Sequence, residues 1–204
     1  MRLPEGAEHW QGALDAAAQQ ALLDDVRAVL AEAPLYRPTM PRSGRPFSVE
    51  MSNCGALGWV SDVAGYRYQL RHPITGAPWP PIPQRLMGVW ARFSRFAAPP
   101  EACLINLYRA GAKLGSHVDS DEAEQRAPVV SVSLGDTALF HIGGCRRGAP
   151  KVKMTLLSGD VVVLGGPSRL AYHGIDRVIA GSSALIEGGG RLNLTLRRVN
   201  PAPF

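Results

Sequence analysis

The sequence predicts a mainly β chain with flanking helices, its β part an antiparallel sandwich or barrel. Three observations predict it. After Pro100, six short apolar-rich segments follow at near-regular spacing, separated by glycine turns. Before them lie one long segment of helical period and a stretch too rich in proline and glycine for long regular elements. At 204 residues, with 46% apolar and 19% charged, the chain can bury a sizeable core as one domain and is not composed like a disordered one.

Taken in order, residues 13–33 place Leu14, Ala18, Leu22, Val26, Val29 and Leu30 near a helical period, and Pro34 stops the helix. "MPRSGRPFSVEMSNCGALGW" joins turn residues to strand-like alternation and reads as a hairpin. "HPITGAPWPPIP", with five prolines in twelve residues, excludes regular structure. "RLMGVWARFSRFA" fits a short amphipathic helix. The strand segments are "ACLINLY", "VVSVSL", "ALFHI", "VKMTLL", "VVVLGG" and "RLNLTLRRV", and the stretch between His173 and Arg191 reads as a surface turn.

Composition narrows the function classes. No apolar run approaches the roughly 18 residues of a membrane span. The first twenty residues carry acids and a Trp where a signal peptide would be basic and then apolar, so a soluble cytoplasmic protein is predicted. Cys54, Cys103 and Cys145 form no CxxC and read as buried thiols. The net charge of +5 is uneven: residues 1–50 carry −2 and residues 51–204 carry +7, which permits a polyanionic partner without requiring one.

The chemistry concentrates in "NLYRAGAKLGSHVDSDE". His117 and Asp119, two apart on an extended segment, can both turn toward one ion. Of the five histidines, His173 stands 56 residues on, just past "DVVVLGG". Two histidines and a carboxylate leave coordination positions open, the pattern of non-haem Fe(II) oxygenases. An HxD pair alone is common. In "RLNLTLR", period two puts Leu192, Leu194 and Leu196 on one face and Arg191, Asn193, Thr195 and Arg197 on the other. Such a polar face ordinarily meets solvent; the metal-like cluster is what argues that it faces inward. Asn106 and Tyr108 share a face in the same way.

With "APVVSVSLGDTALFHIGG", "GDVVVLGGPSRLAYHGI", "RLNLTLRRVNPA" and, upstream, "MSNCGALGW" and "ITGAPWPPIPQ", the chain resembles the AlkB family of Fe(II)/2-oxoglutarate-dependent dioxygenases over roughly residues 45–200. The resemblance implies a double-stranded β-helix (jelly-roll) core over residues 101–204. Residues 1–100 would supply the N-terminal helix and a nucleotide-recognition lid integral to the fold. It implies Fe(II) held by His117, Asp119 and His173, with 2-oxoglutarate and O2 as cosubstrates. The 2-oxoglutarate pocket would comprise Asn106, Tyr108, Arg191, Asn193 and Arg197, Arg191 pairing the distal carboxylate.

The implied reaction removes methyl groups from N-alkylated bases such as 1-methyladenine and 3-methylcytosine, releasing formaldehyde as 2-oxoglutarate becomes succinate. The implied partner is alkylated single- or double-stranded DNA, with RNA a further candidate; no membrane or obligate protein partner is implied, and a monomer is expected. Trp59 would stack on the base, Tyr66 would lie near the lesion and its phosphate, Asp121 near the exocyclic amine with Glu122 a weaker candidate, and Arg147 at the pocket mouth. Two alternatives stay open: a 2-oxoglutarate oxygenase acting on a non-nucleic substrate, and a catalytically silent nucleic-acid-binding jelly roll.

Overall fold

A computed structural model describes residues 2–202. Helix α1 (Ala16–Glu32) starts where the Asp15 carboxylate accepts the Ala18 backbone N–H at 2.8 Å, a side-chain cap, and it ends ahead of Pro34. Helix α2 (Gln84–Phe93) follows Pro83. In chain order the strands are β1 (Ala7–Trp10), β2 (Glu50–Gly55), β3 (Gly58–Asp62), β4 (Gly65–Gln69), β5 (Ala102–Tyr108), β6 (Leu114–His117), β7 (Val129–Gly135), β8 (Thr137–Ile142), β9 (Val152–Leu156), β10 (Val161–Leu164), β11 (His173–Ile179) and β12 (Arg191–Arg197). Six of them form an antiparallel sheet in the order β1-β10-β7-β12-β5-β2. Four more form a second, β6-β11-β8-β9, and β3 pairs with β4 in a separate ribbon. The two sheets face each other as a jelly roll. Among the described residues no helix is long and apolar enough to cross a membrane.

The larger sheet is covered on both faces, which explains why every residue of β5 is buried. On its outer face α1 lays Leu22, Leu23 and Val26, and α2 lays Leu86, Val89 and Trp90, against Leu192, Leu194 and Leu196. Fully burying each such side chain contributes about 1.5–3 kcal/mol, so packing rather than helix propensity holds the two helices. On the inner face Leu104, Val129 and Val162 meet Ala138, Phe140 and Ile142 of the smaller sheet. The smaller sheet's outer face is open, and β9 alternates accordingly, with Lys153 and Thr155 exposed.

Four expectations need correction. The hairpin expected over Met40–Trp59 is not one: β2 pairs with β5, and the ribbon that forms is β3–β4. The Asn53 side chain takes the place of a strand partner there, accepting the Trp59 N–H and donating to the Trp59 carbonyl, both at 3.0 Å, so β3 can turn away from β2. The stretch after His173 is not all turn, because β11 runs on through its first six residues. β1 and β6 also form where no strand was expected. Cys145 is exposed, whereas Cys54 and Cys103 are buried opposite each other on β2 and β5.

The connection from β11 to β12 is organised by one carboxylate. Asp136, 2% exposed, accepts the backbone N–H groups of Gly190 at 2.9 Å, Ser183 at 3.0 Å and Gly181 at 3.3 Å. It therefore sets where β12 begins. Asp136→Ala strands those donors, so a loss of about 3 kcal/mol is expected. Urea denaturation, with a lowered midpoint and unchanged slope, checks it.

Candidate active site

Between the sheets lies a cavity of ≈ 240 Å³ whose lining includes His117, Asp119, His173, Asn106, Tyr108, Arg191, Asn193 and Arg197. Topology closes the gap of 56 residues in the sequence: β6 and β11 are neighbours, and His173 pairs directly with His117 across them. The imidazole centroids are 4.5 Å apart. Nε2 of His117 lies 3.8 Å from Asp119 Oδ1, and Nε2 of His173 lies 3.9 Å from Oδ2. Each ring has its other nitrogen on a backbone carbonyl: Nδ1 of His117 on Gly115 at 2.9 Å and Nδ1 of His173 on Ala171 at 3.0 Å. A carbonyl can only accept, so both protons sit on Nδ1 and both Nε2 lone pairs face Asp119. Ligand atoms of the three residues all fall within 4.8 Å of one another, a set that could hold a metal ion.

Burial alone would raise the Asp119 pKa. Arg197, whose Nη2 lies 2.9 Å from Oδ1, leads the charges that outweigh it, joined by the two histidines in their protonated form, and the carboxyl is held well below its usual range. Asp119 Oδ2 is buried without a hydrogen-bond partner, as a metal-ligating oxygen would be in the bare protein. Burial pushes the His173 imidazole down to about 4, which keeps its lone pair available.

Period two on β12 divides the strand as expected: its leucines face the helices, and Arg191, Asn193, Thr195 and Arg197 line the cavity. Arg191 is 1% exposed. Its Nη2 donates to Ser133 Oγ at 2.9 Å and Asn193 Oδ1 at 2.7 Å, and its guanidinium stands 5.3 Å from the Tyr108 ring centroid. Nε and Nη1 have no hydrogen-bond partner. A buried cation whose hydrogen-bonding neighbours are neutral calls for an anion. The donor set therefore fits a carboxylate a short way from the metal set, which is what a dicarboxylic keto acid chelating that metal would present. Burial pushes the Tyr108 phenol up to about 12, so it stays neutral and its hydroxyl can donate.

At the rim, Trp59 of β3 stacks on Tyr66 of β4, with centroids 5.4 Å apart and planes 22° from parallel. The indole Nε1–H donates to Asp121 Oδ2 at 2.7 Å. All three line the cavity. Arg147 does not; it is exposed, with its guanidinium 5.9 Å from the Tyr172 ring centroid. Glu122 also lines the cavity, but as a buried group rather than an exposed rim acid. It is 2% exposed, ion-paired to Arg169 at 2.9 Å, and hydrogen-bonded by the Tyr68 hydroxyl.

Sequence reasoning overlooked Ser131 and Ser133, which hold Asn193 and Arg191 in place. Two serines at period two in the otherwise apolar "VVSVSL" were the available signal. It also overlooked Arg169, whose guanidinium ties the backbone carbonyls of Asp119 and Ala127 to Glu122. Nothing in the local sequence marks that arginine.

The sequence matches the 2OG-Fe(II) oxygenase superfamily over residues 6–197. It is 52% identical to an alpha-ketoglutarate-dependent dioxygenase AlkB homolog of Caulobacter vibrioides over 199 residues, which cover 97% of this chain and 89% of the relative. It is 42% identical to the alpha-ketoglutarate-dependent dioxygenase AlkB of Escherichia coli, over 94% of each chain. The structure of OsALKBH1 superposes with a TM-score of 0.78 at 30% identity, covering 97% of this chain and 100% of the other.

The depressed His173 pKa makes a pH prediction for protein stripped of divalent metal. Between about 6.5 and about 4 the unfolded chain holds a proton on this residue that the folded chain does not. Stability should therefore be fully present above pH ~6.5 and fall on acidification toward pH ~4, by up to ~3 kcal/mol from this residue. Denaturation midpoints across that range check it, and His173→Gln should flatten the slope.

Proposed function

The chain belongs to the 2OG-Fe(II) oxygenase superfamily and within it to the AlkB family, and from that premise we propose how its own residues carry out oxidative demethylation of alkylated nucleic-acid bases. It is an Fe(II)/2-oxoglutarate-dependent dioxygenase using O2. Iron and 2-oxoglutarate, when bound, supply the oxidising chemistry that releases an N-methyl carbon as formaldehyde while 2-oxoglutarate becomes succinate and carbon dioxide.

The observation that carries the reading is the pairing, in one cavity, of the His117–Asp119–His173 set with a buried Arg191 that lacks an anionic partner. His117, Asp119 and His173 would hold the iron. Arg191 would pair the distal carboxylate of 2-oxoglutarate, steadied by Ser133 and Asn193. Arg197 would hold Asp119 as an anion and stand beside the cosubstrate, with Asn106 and the neutral Tyr108 as further hydrogen-bonding groups.

Substrate recognition would fall to the ribbon β3–β4 acting as a lid. A base inside a duplex cannot reach an inter-sheet cavity, so it must be flipped out or already unpaired, at a cost of a few kcal/mol. Stacking on Trp59 returns about 1–3 kcal/mol of that. Asp121, one oxygen held by the Trp59 indole, keeps its other oxygen for an exocyclic amine, and its charge favours cationic bases such as 1-methyladenine and 3-methylcytosine. Tyr66 would lie near the lesion. Arg147, outside the cavity wall, is proposed to meet the nucleic-acid backbone rather than the base. The reading extends to single- and double-stranded DNA and to RNA, with the chain acting as a monomer.

Mass spectrometry of a single-stranded oligonucleotide bearing one 1-methyladenine tests the activity. Loss of one methylene mass is expected with Fe(II), 2-oxoglutarate and air, and not without 2-oxoglutarate. Succinate without demethylation would redirect the reading to another substrate, and neither product in folded, iron-loaded protein would sink it. Arg191→Met should raise the 2-oxoglutarate KM by ~30-fold or more, the equivalent of about 2 kcal/mol for a buried charge pair losing one partner. Steady-state kinetics with varied 2-oxoglutarate would read this, and an unchanged KM would remove Arg191 from the cosubstrate pocket.

A further inference from the structure

The strand that carries His173 is irregular, and its irregularity is tied down from outside the cavity. On β11, Ile175 pairs with Phe140 and Arg177 pairs with Leu139. Adjacent residues of β8 thus face residues two apart on β11, and Asp176 is the extra one, a β-bulge. Parity shows what the bulge does. His173 and Ile175 line the cavity, and Val178 is buried in the same inter-sheet core. His173 and Val178 are five residues apart, so an unbroken strand would send them to opposite faces. Without the extra residue, either His173 would leave the cavity or Arg177 would replace Val178 in the core.

The side chain of the bulge residue is engaged on both oxygens. Asp176 Oδ1 lies 2.7 Å from Nδ1 of His141, and Oδ2 lies 3.3 Å from Nζ of Lys153. Phe140 and Ile142 point into the core, so His141 between them points to the outer face, where its side chain is still only 5% exposed. It stands opposite Gly174 on one side and Lys153 on the other. Gly174 lies close against the backbone of β6, where a Cβ would come within 2.6 Å of the Leu114 carbonyl oxygen. Asp176, two residues on, reaches the His141 ring. A carboxylate only accepts, so the His141 proton sits on Nδ1, and Nε2 faces Lys151 Nζ at 3.5 Å. The Nδ1–H of this buried imidazole is thus committed to the bulge, and losing that bond would leave it unmet.

We infer that His141 and Asp176 are positioning residues for His173: their hydrogen bond fixes the bulge that keeps the His173 imidazole turned toward Asp119 and His117. The inference rests on the reading of those three residues as the metal set. Neither His141 nor Asp176 touches the cavity, and both act through the backbone of β11.

Calorimetric titration of the metal-stripped full chain with Mn(II) tests it, with circular dichroism to confirm folding. His141→Leu and Asp176→Ala should each weaken Mn(II) binding about tenfold or more, the range seen when the support of a ligating histidine is lost. His141→Asn, whose amide nitrogen stands where Nδ1 stood and can still donate to Asp176, should bind within about threefold of the parent. Asp176 is exposed, so its truncation leaves a folded protein to measure even where His141→Leu does not. Parent-like affinity in folded Asp176→Ala would overturn the inference, as would His141→Asn binding no better than His141→Leu. A parent chain that binds no Mn(II) would remove the metal-set reading and this inference together, an outcome distinct from failure of the inference alone.

Discussion

The cavity depends on one buried ion pair. Asp119 is 8% exposed, and a carboxyl so placed would take up a proton if it stood alone. Arg197, 2.9 Å away on β12, keeps it charged, and that requirement spreads outward. Arg197 is itself buried and lies 3.5 Å from Glu122, which is buried in turn and paired with Arg169. Arg169 then binds the backbone carbonyls of Asp119 and Ala127, fixing the loop on which both acids sit. Two acids and two arginines thus balance each other in the interior, a cluster in which removing any one member leaves an uncompensated charge. Arg191 stands apart from this balance, its hydrogen-bond partners being a serine and an asparagine. Arg191 is therefore a buried positive charge that this cluster leaves uncompensated, lining the cavity where an anionic cosubstrate can meet it.

The same pattern decides what could be read from the sequence. β12 was legible because its two faces meet different media: apolar helices behind, a polar cavity in front, so period two survives in the residue types. The helices were legible from Leu22, Val26 and Val29 for the same reason. The HxD pair was visible at once, and β11 beside β6 supplies the third member. β11 itself was not legible. Asp176 breaks the alternation, and the polar Asp-Arg pair at 176–177 looks like a turn when no partner strand is in view. The fold tolerates both because one is the bulge and the other faces outward. Asn53 was equally hidden, since an asparagine that pairs with the backbone of Trp59 has no periodic signature. Arg147, expected at the pocket mouth, stands outside the cavity lining with its guanidinium near the Tyr172 ring, because the direction of a loop side chain depends on what it lands on.

The centre and the ribbon are built to different standards. His117 and His173 of the metal set stand on neighbouring strands of the four-stranded sheet, Asp119 on the loop that leaves β6, and the six-stranded sheet facing them is packed on both faces. The ribbon β3–β4 has two strands, and its outer side chains are open to solvent, with Val63 77% and Tyr66 52% exposed. The contacts that hold it over the cavity include Asn53 to Trp59, Trp59 to Asp121, and Tyr68 to Glu122 and Arg197, with Ser61 to the Thr39 backbone and the Trp79 indole to the Gln69 carbonyl besides. Trp79, packed on Val60, supports it from behind. A two-stranded element with few apolar contacts belongs to the low-stability end of a fold.

That contrast follows from the two tasks. Holding a metal and a dicarboxylate requires ligand atoms fixed to within fractions of an ångström, which buried sheet strands and a compensated charge cluster provide. Admitting a base and letting the repaired one leave requires a wall that can yield. On the reading proposed above, Trp59 and Asp121 meet this demand, because the contact between them is a single hydrogen bond. That bond can break at a cost of about 1.5–3 kcal/mol, a sum that stacking on the incoming base can match. Tyr68 is the firmer anchor, because its hydroxyl ends in the buried network that keeps Asp119 charged. The ribbon can therefore open at its rim, around Trp59 and Tyr66, while its base stays tied to the group that holds the metal ligand in place.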